Sequence, residues 1–179
     1  MRTAGKKVIL RAVEAQDEGL LQSLIHDPEI VRVTGGYRNA GFGTGRADWF
    51  RSVSGGFGGL RRIIADPAEE EIGLGIIMLS HVNDERKTAE IYIKLKKEAR
   101  GRGYGRGAVA LLLSRAFGEL GLRRVCANIL EHNAASLSLF EACGFQREHV
   151  QNARADREGH CQKVYGYGIS KEDWRTGRK

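Results

Sequence analysis

Eight consecutive residues, Arg100, Gly101, Arg102, Gly103, Tyr104, Gly105, Arg106 and Gly107, constrain this chain more than any other stretch, because they run directly into an amphipathic helix. The glycines remove side chains that would hold a ligand away from the main chain. The first turn of the helix has amides with no partner inside the helix, and such a start attracts anions. Val109, Leu112, Leu113, Ala116, Phe117 and Leu120 recur at the spacing of one buried helical face, and Gly121 supplies a stop. Upstream, Glu90, Tyr92 and Lys94 alternate with Ile91, Ile93 and Leu95, which predicts a strand over residues 89–95 with one apolar face. The local order is therefore strand, basic glycine loop, helix, and phosphate chemistry is its natural use.

Three phosphate-binding arrangements compete for that order. A nucleotide-binding P-loop would end in Gly-Lys-Ser or Gly-Lys-Thr, whereas this loop ends Arg106, Gly107, Ala108. A dinucleotide fold is matched formally by Gly103, Gly105 and Ala108, but it needs several strand-helix-strand units downstream and room remains for about one. The third is the pyrophosphate loop of the Gcn5-related N-acetyltransferases (GNAT), in which Arg or Gln is followed after two residues by Gly and after one more by Gly or Ala. Arg100, Gly103 and Gly105 stand at those positions.

The resemblance extends from Glu90 to Phe145. Glu90-Ile91-Tyr92-Ile93 resembles the splayed fourth strand of the branch that holds ribosomal-protein N-terminal and spermidine N-acetyltransferases. Asn133-Ala134-Ala135-Ser136, continuing through Phe140 to Gly144-Phe145, resembles its Asn-x-x-Ser, aromatic, Gly-Phe signature. This resemblance implies a mixed α/β fold with a central, mostly antiparallel twisted sheet flanked by helices. It implies acetyl-CoA as co-substrate, bound by residues 89–145, and an amine acceptor entering past residues 18–59. In the family manner, Ile93, Lys94 and Leu95 would offer main-chain groups to the pantetheine arm. Gly101, Arg102, Gly103, Tyr104, Gly105, Arg106 and Gly107 would hold the pyrophosphate with Arg100 adding charge, while Asn133 and Phe140 contact the rest of the coenzyme.

Acetyl transfer needs a neutral amine, so the cost of deprotonation sorts the acceptors. A lysine-like amine near pKa 10.4 costs roughly 4 to 5 kcal/mol to neutralise at pH 7, an α-amine near 7.8 about 1 kcal/mol. Glu90 is the candidate base, opposed by the plainer role of an exposed strand carboxylate pairing with Lys94. Many relatives carry a tyrosine that protonates the departing thiolate where this chain has Phe140, which cannot donate a proton. Ser136 is then the candidate acid, although a helix cap suits it as well. Phe140 also keeps open a coenzyme-binding sensor with no turnover. His81, Glu131 and His132 lie near strand ends and read as ordinary surface residues.

The remaining sequence is consistent with a single domain over residues 1–179. Strands are predicted over 7–12, 60–65, 71–81, 124–130, 145–151 and 162–169, and helices over 18–25 and 133–143, with Asp27-Pro28 as an interruption. The segment 35–59 holds nine glycines with Tyr37, Phe42, Trp49 and Phe50, and a short helix over 44–53. Flexible glycine and exposed aromatics suit a mobile substrate rim, and equally a loosely packed loop with core anchors. Cys126, Cys143 and Cys161 show no metal-ligand spacing and read as reduced thiols, no metal is expected, and no apolar run reaches the length of a membrane span. A cytoplasmic enzyme without a signal peptide is the expectation. The net charge of +7 does not require nucleic acid, since several arginines face a phosphorylated coenzyme; it does disfavour attraction of a free polycation. A peptide or protein α-amine is accordingly the preferred acceptor, with polyamines and small antibiotic-type amines as alternatives. The family's closing strands commonly pair into homodimers.

Overall fold

Period-two alternation builds a seven-stranded sheet in the computed structural model of this chain, which describes residues 5–34, 59–152 and 162–177. The elements run β1 (Ile9–Arg11), α1 (Glu18–His26), α2 (Pro28–Val33), β2 (Leu60–Asp66), β3 (Glu69–Asn83) and β4 (Thr88–Leu95). They continue with α3 (Tyr104–Gly118), β5 (Arg124–Leu130), α4 (Ala134–Ala142), β6 (Gln146–Asn152), β7 (Lys163–Ser170) and α5 (Lys171–Thr176). The strand order is β1-β2-β3-β4-β5-β7-β6, and every pairing is antiparallel except that of β4 with β5. The expected mixed fold is thus borne out. The segment 35–58, with Tyr37, Phe42, Trp49, Phe50 and the helix over 44–53, lies outside the described residues, as does Cys161.

Each face of the sheet has its own core. On one, α3 lays Val109, Leu112, Leu113, Ala116 and Phe117 against Ile64, Ile77, Leu79, Ile91 and Val125. Complete burial of a side chain such as Phe117 contributes about 1.5 to 3 kcal/mol, and Trp174 of α5 adds a tilted ring contact at 5.7 Å. Leu120 falls beyond the helix and is exposed, so the buried face ends at Phe117, one turn earlier than its periodicity suggests. On the other face, Leu21, Leu24 and Ile30 of α1 and α2 cover Ile63 and Ile76.

Asp27-Pro28 does more than interrupt a helix. The Asp27 carboxylate accepts from the amides of Glu29 and Ile30 at 2.8 and 3.1 Å, and Pro28 occupies the first helical position, so the pair starts α2. At the other end of α1, Arg11 makes a two-pronged bond to the buried Asp17 at 2.7 Å per contact, fixing β1 to the helix start.

The register of β4 positions the site. Ile91 and Ile93 lie opposite Leu79 and Ile77 on the α3 face, while Glu90, Tyr92 and Lys94 lie opposite Ser80, Met78 and Ile76 on the α1 face. With β5, β4 pairs only through Thr88, Ala89 and Glu90, opposite Arg124, Val125 and Cys126. Beyond Glu90 the two strands part.

Candidate functional site

The gap that opens beyond Glu90 leads to a cavity of about 680 Å³ between the end of β4, the glycine loop, α2 and the start of α4. Ile93, Lys94 and Leu95 form its β4 wall; Arg100, Gly101, Gly103, Gly105 and Arg106 form its loop wall. Asn133 and Ser136 come in from α4. These are ten of the residues that the sequence assigns to coenzyme or chemistry, brought together from three separate segments.

The loop is shaped by backbone requirements. Gly101 and Gly103 have φ of 69° and 85°, the left-handed region that suits glycine, and Gly103 caps α3. The helix begins at Tyr104, four residues ahead of the predicted start at Ala108, so Tyr104, Gly105 and Arg106 are its first turn. Its first internal bond runs from Gly107 N to Gly103 O at 3.2 Å, which leaves the Tyr104 and Gly105 amides with no carbonyl inside the helix. Gly105 lets the turn approach its neighbours: a Cβ there would lie 3.3 to 3.4 Å from Leu139 and Leu95.

Four expected residues are placed differently. Gly107 faces the N-terminal segment, where a Cβ would stand 2.1 Å from the Lys6 carbonyl oxygen. Tyr104 is buried with its hydroxyl donating to Asp66 Oδ2 at 2.8 Å and accepting from Lys6 Nζ at 2.5 Å. Arg102 lies 5.6 Å from the Tyr104 ring, and both line a smaller cavity of about 440 Å³ on the other side of the loop. Phe140 is in the core, edge-on to Phe145 at 4.9 Å, and does not line the larger cavity; helix α4 turns it inward.

Arg100 lines the cavity while its guanidinium is engaged elsewhere. Nε donates to Leu95 O at 3.0 Å, Nη2 to Asp27 at 2.6 Å and Nη1 to Glu29 at 2.5 Å. It therefore ties the loop to β4 and to the start of α2. Burial pushes the Asp27 carboxyl up, but the Ile30 amide and the Arg100 guanidinium outweigh it and hold the group below its usual range. Helix α2, which the sequence reading missed, forms the far wall with Glu29, Ile30, Arg32 and Val33. Its C-terminal end is held by His132 and Asn133, whose side chains contact the carbonyls of Arg32 and Val33 at 3.0 and 3.3 Å. Asn133 also caps α4, accepting from Ser136 N at 3.2 Å, so the cap belongs to Asn133 and leaves the Ser136 hydroxyl on the cavity wall. Burial lowers the pKa of Lys94 on the opposite wall.

Glu90 stands three residues up β4 from Ile93, about 10 Å at strand rise, on the α1 face and where the strands separate. It does not pair with Lys94. Asn128 Nδ2 donates to its Oε1 at 2.8 Å, and His81 Nδ1 lies 3.3 Å from its Oε2. The carboxylate is 16% exposed, so the two contacts fix it at the lip of the gap.

A family model described as an acetyltransferase (GNAT) domain matches residues 7–146. The N-acetyltransferase 9-like protein of Caenorhabditis briggsae is 36% identical over 85 residues, covering 46% of this chain and 43% of that protein. The spermidine N(1)-acetyltransferase of Vibrio cholerae is 27% identical over 88 residues, covering 49% of this chain and 50% of that protein. These matches span about half the length of each of the two curated relatives. A crystal structure of Vibrio cholerae spermidine N-acetyltransferase in complex with CoA and spermine superposes with a TM-score of 0.79 at 21% identity, covering 94% of this chain and 98% of that one. Among the described residues no helix is long and apolar enough to cross a membrane, and no group of three metal-ligating side chains occurs.

Proposed function

The chain belongs to the GNAT acetyltransferase family, and from that premise we propose that it transfers the acetyl group of acetyl-CoA directly to a primary amine of a polyamine-type acceptor. The observation that carries this reading is the parting of β4 and β5 at Glu90, which joins a fixed carboxylate to the glycine-loop cavity by a gap along one strand. The residues fit the coenzyme. The first-turn amides of α3, with Arg106 beside them, suit a diphosphate, and the unpaired edge of β4 suits the amides of a pantetheine arm as an added strand would. Ile93 and Leu95 would provide that edge and Asn133 would border it.

Acetyl-CoA supplies an activated thioester when bound, and the chain's own part is to position it and to remove a proton. Glu90, on the α1 face, accepts the acceptor's ammonium proton, directly or through one water. Ser136, half-buried on the cavity wall, is the candidate hydroxyl for the thiolate, since Phe140 is in the core and has none. The polyamine acceptor is favoured by the spermidine acetyltransferases among the relatives. A protein α-amine is the second reading, favoured by the net charge of +7 and the lower cost of neutralising that amine.

The test is thiol release from acetyl-CoA with spermidine, with a peptide bearing a free N-terminus and with a small aminoglycoside-type amine. Release is expected to be fastest with spermidine, and E90Q should lower kcat about 100-fold with acetyl-CoA binding retained. Faster release with the peptide selects the second reading. Tight acetyl-CoA binding with no release from any amine would mean a coenzyme sensor instead.

A further inference from the structure

His81 has a backbone φ of 51°, a region that residues other than glycine seldom occupy, at a point where the β3–β4 register slips between Ser80 and Asn83. Such a bulge re-aims a side chain, and here it brings an imidazole to the edge of the proposed base. Nδ1 lies 3.3 Å from Glu90 Oε2 while the side chain is 75% exposed. The ring thus touches the half-buried carboxylate with one end and solvent with the other. Asn128 holds the second Glu90 oxygen at 2.8 Å, so the carboxylate is oriented from β5 and connected to water through β3.

We infer that His81 is the proton outlet of Glu90, a positioning residue that returns the carboxylate to its basic form in each cycle. This rests on the acetyl-transfer reading above. Glu90 takes a proton from the acceptor ammonium and passes it to Nδ1 of neutral His81 in its Nε2–H tautomer; the imidazolium releases one proton to bulk water, and exchange of the exposed ring with solvent restores the Nε2–H tautomer before the next cycle. The freed amine lone pair bonds the acetyl carbon, the carbon–sulfur bond breaks with its electrons going to sulfur, the nitrogen gives up its second proton, and the thiolate takes up one proton. Ammonium and thioester become amide, thiol and one released proton.

Among the described residues, the groups around Glu90 leave this route to His81. From β3 come Ser80 and His81; from β5 come Cys126 and Asn128, with Arg124 two pairs earlier paired to Glu148. On β4 itself, Tyr92 and Lys94 share the face, with Lys94 on the cavity wall. Among these, the imidazole is the group whose two ring nitrogens let it take a proton at one end and give one up at the other.

The test uses His81→Gly in the full chain, because glycine keeps the left-handed backbone while removing the ring. Steady-state transfer should show kcat reduced about 10-fold at pH 7, KM for acetyl-CoA within twofold of the parent, and the lost rate restored by free imidazole in proportion to its basic form. H81N should lose rate similarly. Rate unchanged in both variants, or lost without recovery in imidazole, overturns the outlet role. Absence of transfer by the parent chain with any amine overturns the acetyl-transfer reading itself, and this inference falls with it.

Discussion

At the residue scale, Arg100 shows why a motif position and a role can diverge. The pattern of the loop marks it as a phosphate arginine, yet its fork is engaged with Leu95 O, Asp27 and Glu29, so it acts on the coenzyme by holding the walls of the cavity. A lysine cannot reproduce three bonds in one plane. Arg100→Lys should therefore destabilise the fold by about 1 to 3 kcal/mol in urea unfolding and weaken acetyl-CoA binding several-fold by calorimetry. The pH sign follows from Asp27, whose pKa is lowered in the folded state. Its contribution is present above the unfolded carboxyl value and lost as pH falls through the folded one. Acid should thus destabilise the parent more steeply than R100K below about pH 4; parallel acid transitions would show that the tie contributes nothing. Partners 71 and 73 residues away are set by tertiary packing, so nothing in the neighbouring sequence announces them.

At the element scale, what the sequence showed and what it hid both trace to local signals. Strand β5 was legible to the residue at 124–130, because β-branched and apolar positions alternate there between turn residues. Helix α2 was read as a break because proline was weighed as a breaker and not as a first-turn residue behind an aspartate cap. The start of α3 was placed at Ala108 because Tyr104-Gly105-Arg106-Gly107 has poor helix propensity; burial of Tyr104 and its bond to Asp66 override that preference. The bulge that turns His81 toward Glu90 has no composition signal at all. The loop glycines, read as one cradle, separate into two tasks. Gly107→Ala puts a methyl 2.1 Å from the Lys6 carbonyl oxygen, which cannot yield without moving backbone, and should cost roughly 2 kcal/mol or more. Gly101→Ala meets open space and should lose only about 1 kcal/mol for its φ of 69° while adding bulk on the cavity wall. Unfolding midpoints and acetyl-CoA affinities for the two variants should rank in opposite orders, and the same order in both would merge the tasks.

At the scale of the whole molecule, the sheet has a seam. Residues 88–90 pair its two halves, β1 to β4 on one side and β5, β7 and β6 on the other; beyond Glu90 no strand pairing joins them among the described residues, and α3 together with the contacts of His132 and Asn133 to α2 bridges the gap. Main-chain groups of β4 that point into the gap lack a strand partner there, and a bound coenzyme that pairs with them would close the seam from outside. Binding then has a spatial signature that no surface association would share. With CoA at about 100 times its dissociation constant, stability should rise by about 2.7 kcal/mol, a shift of roughly 5 to 10 °C in Tm for a chain of this size. Hydrogen exchange should slow across residues 91–95 and 100–107 by more than the general slowing that the added stability gives a strand such as β2, whose amides are already paired with β1 and β3. Uniform slowing over the whole chain would mean that the ligand acts on global stability alone. Protection confined to residues 146–152 would place it on the exposed outer strand β6, away from the seam.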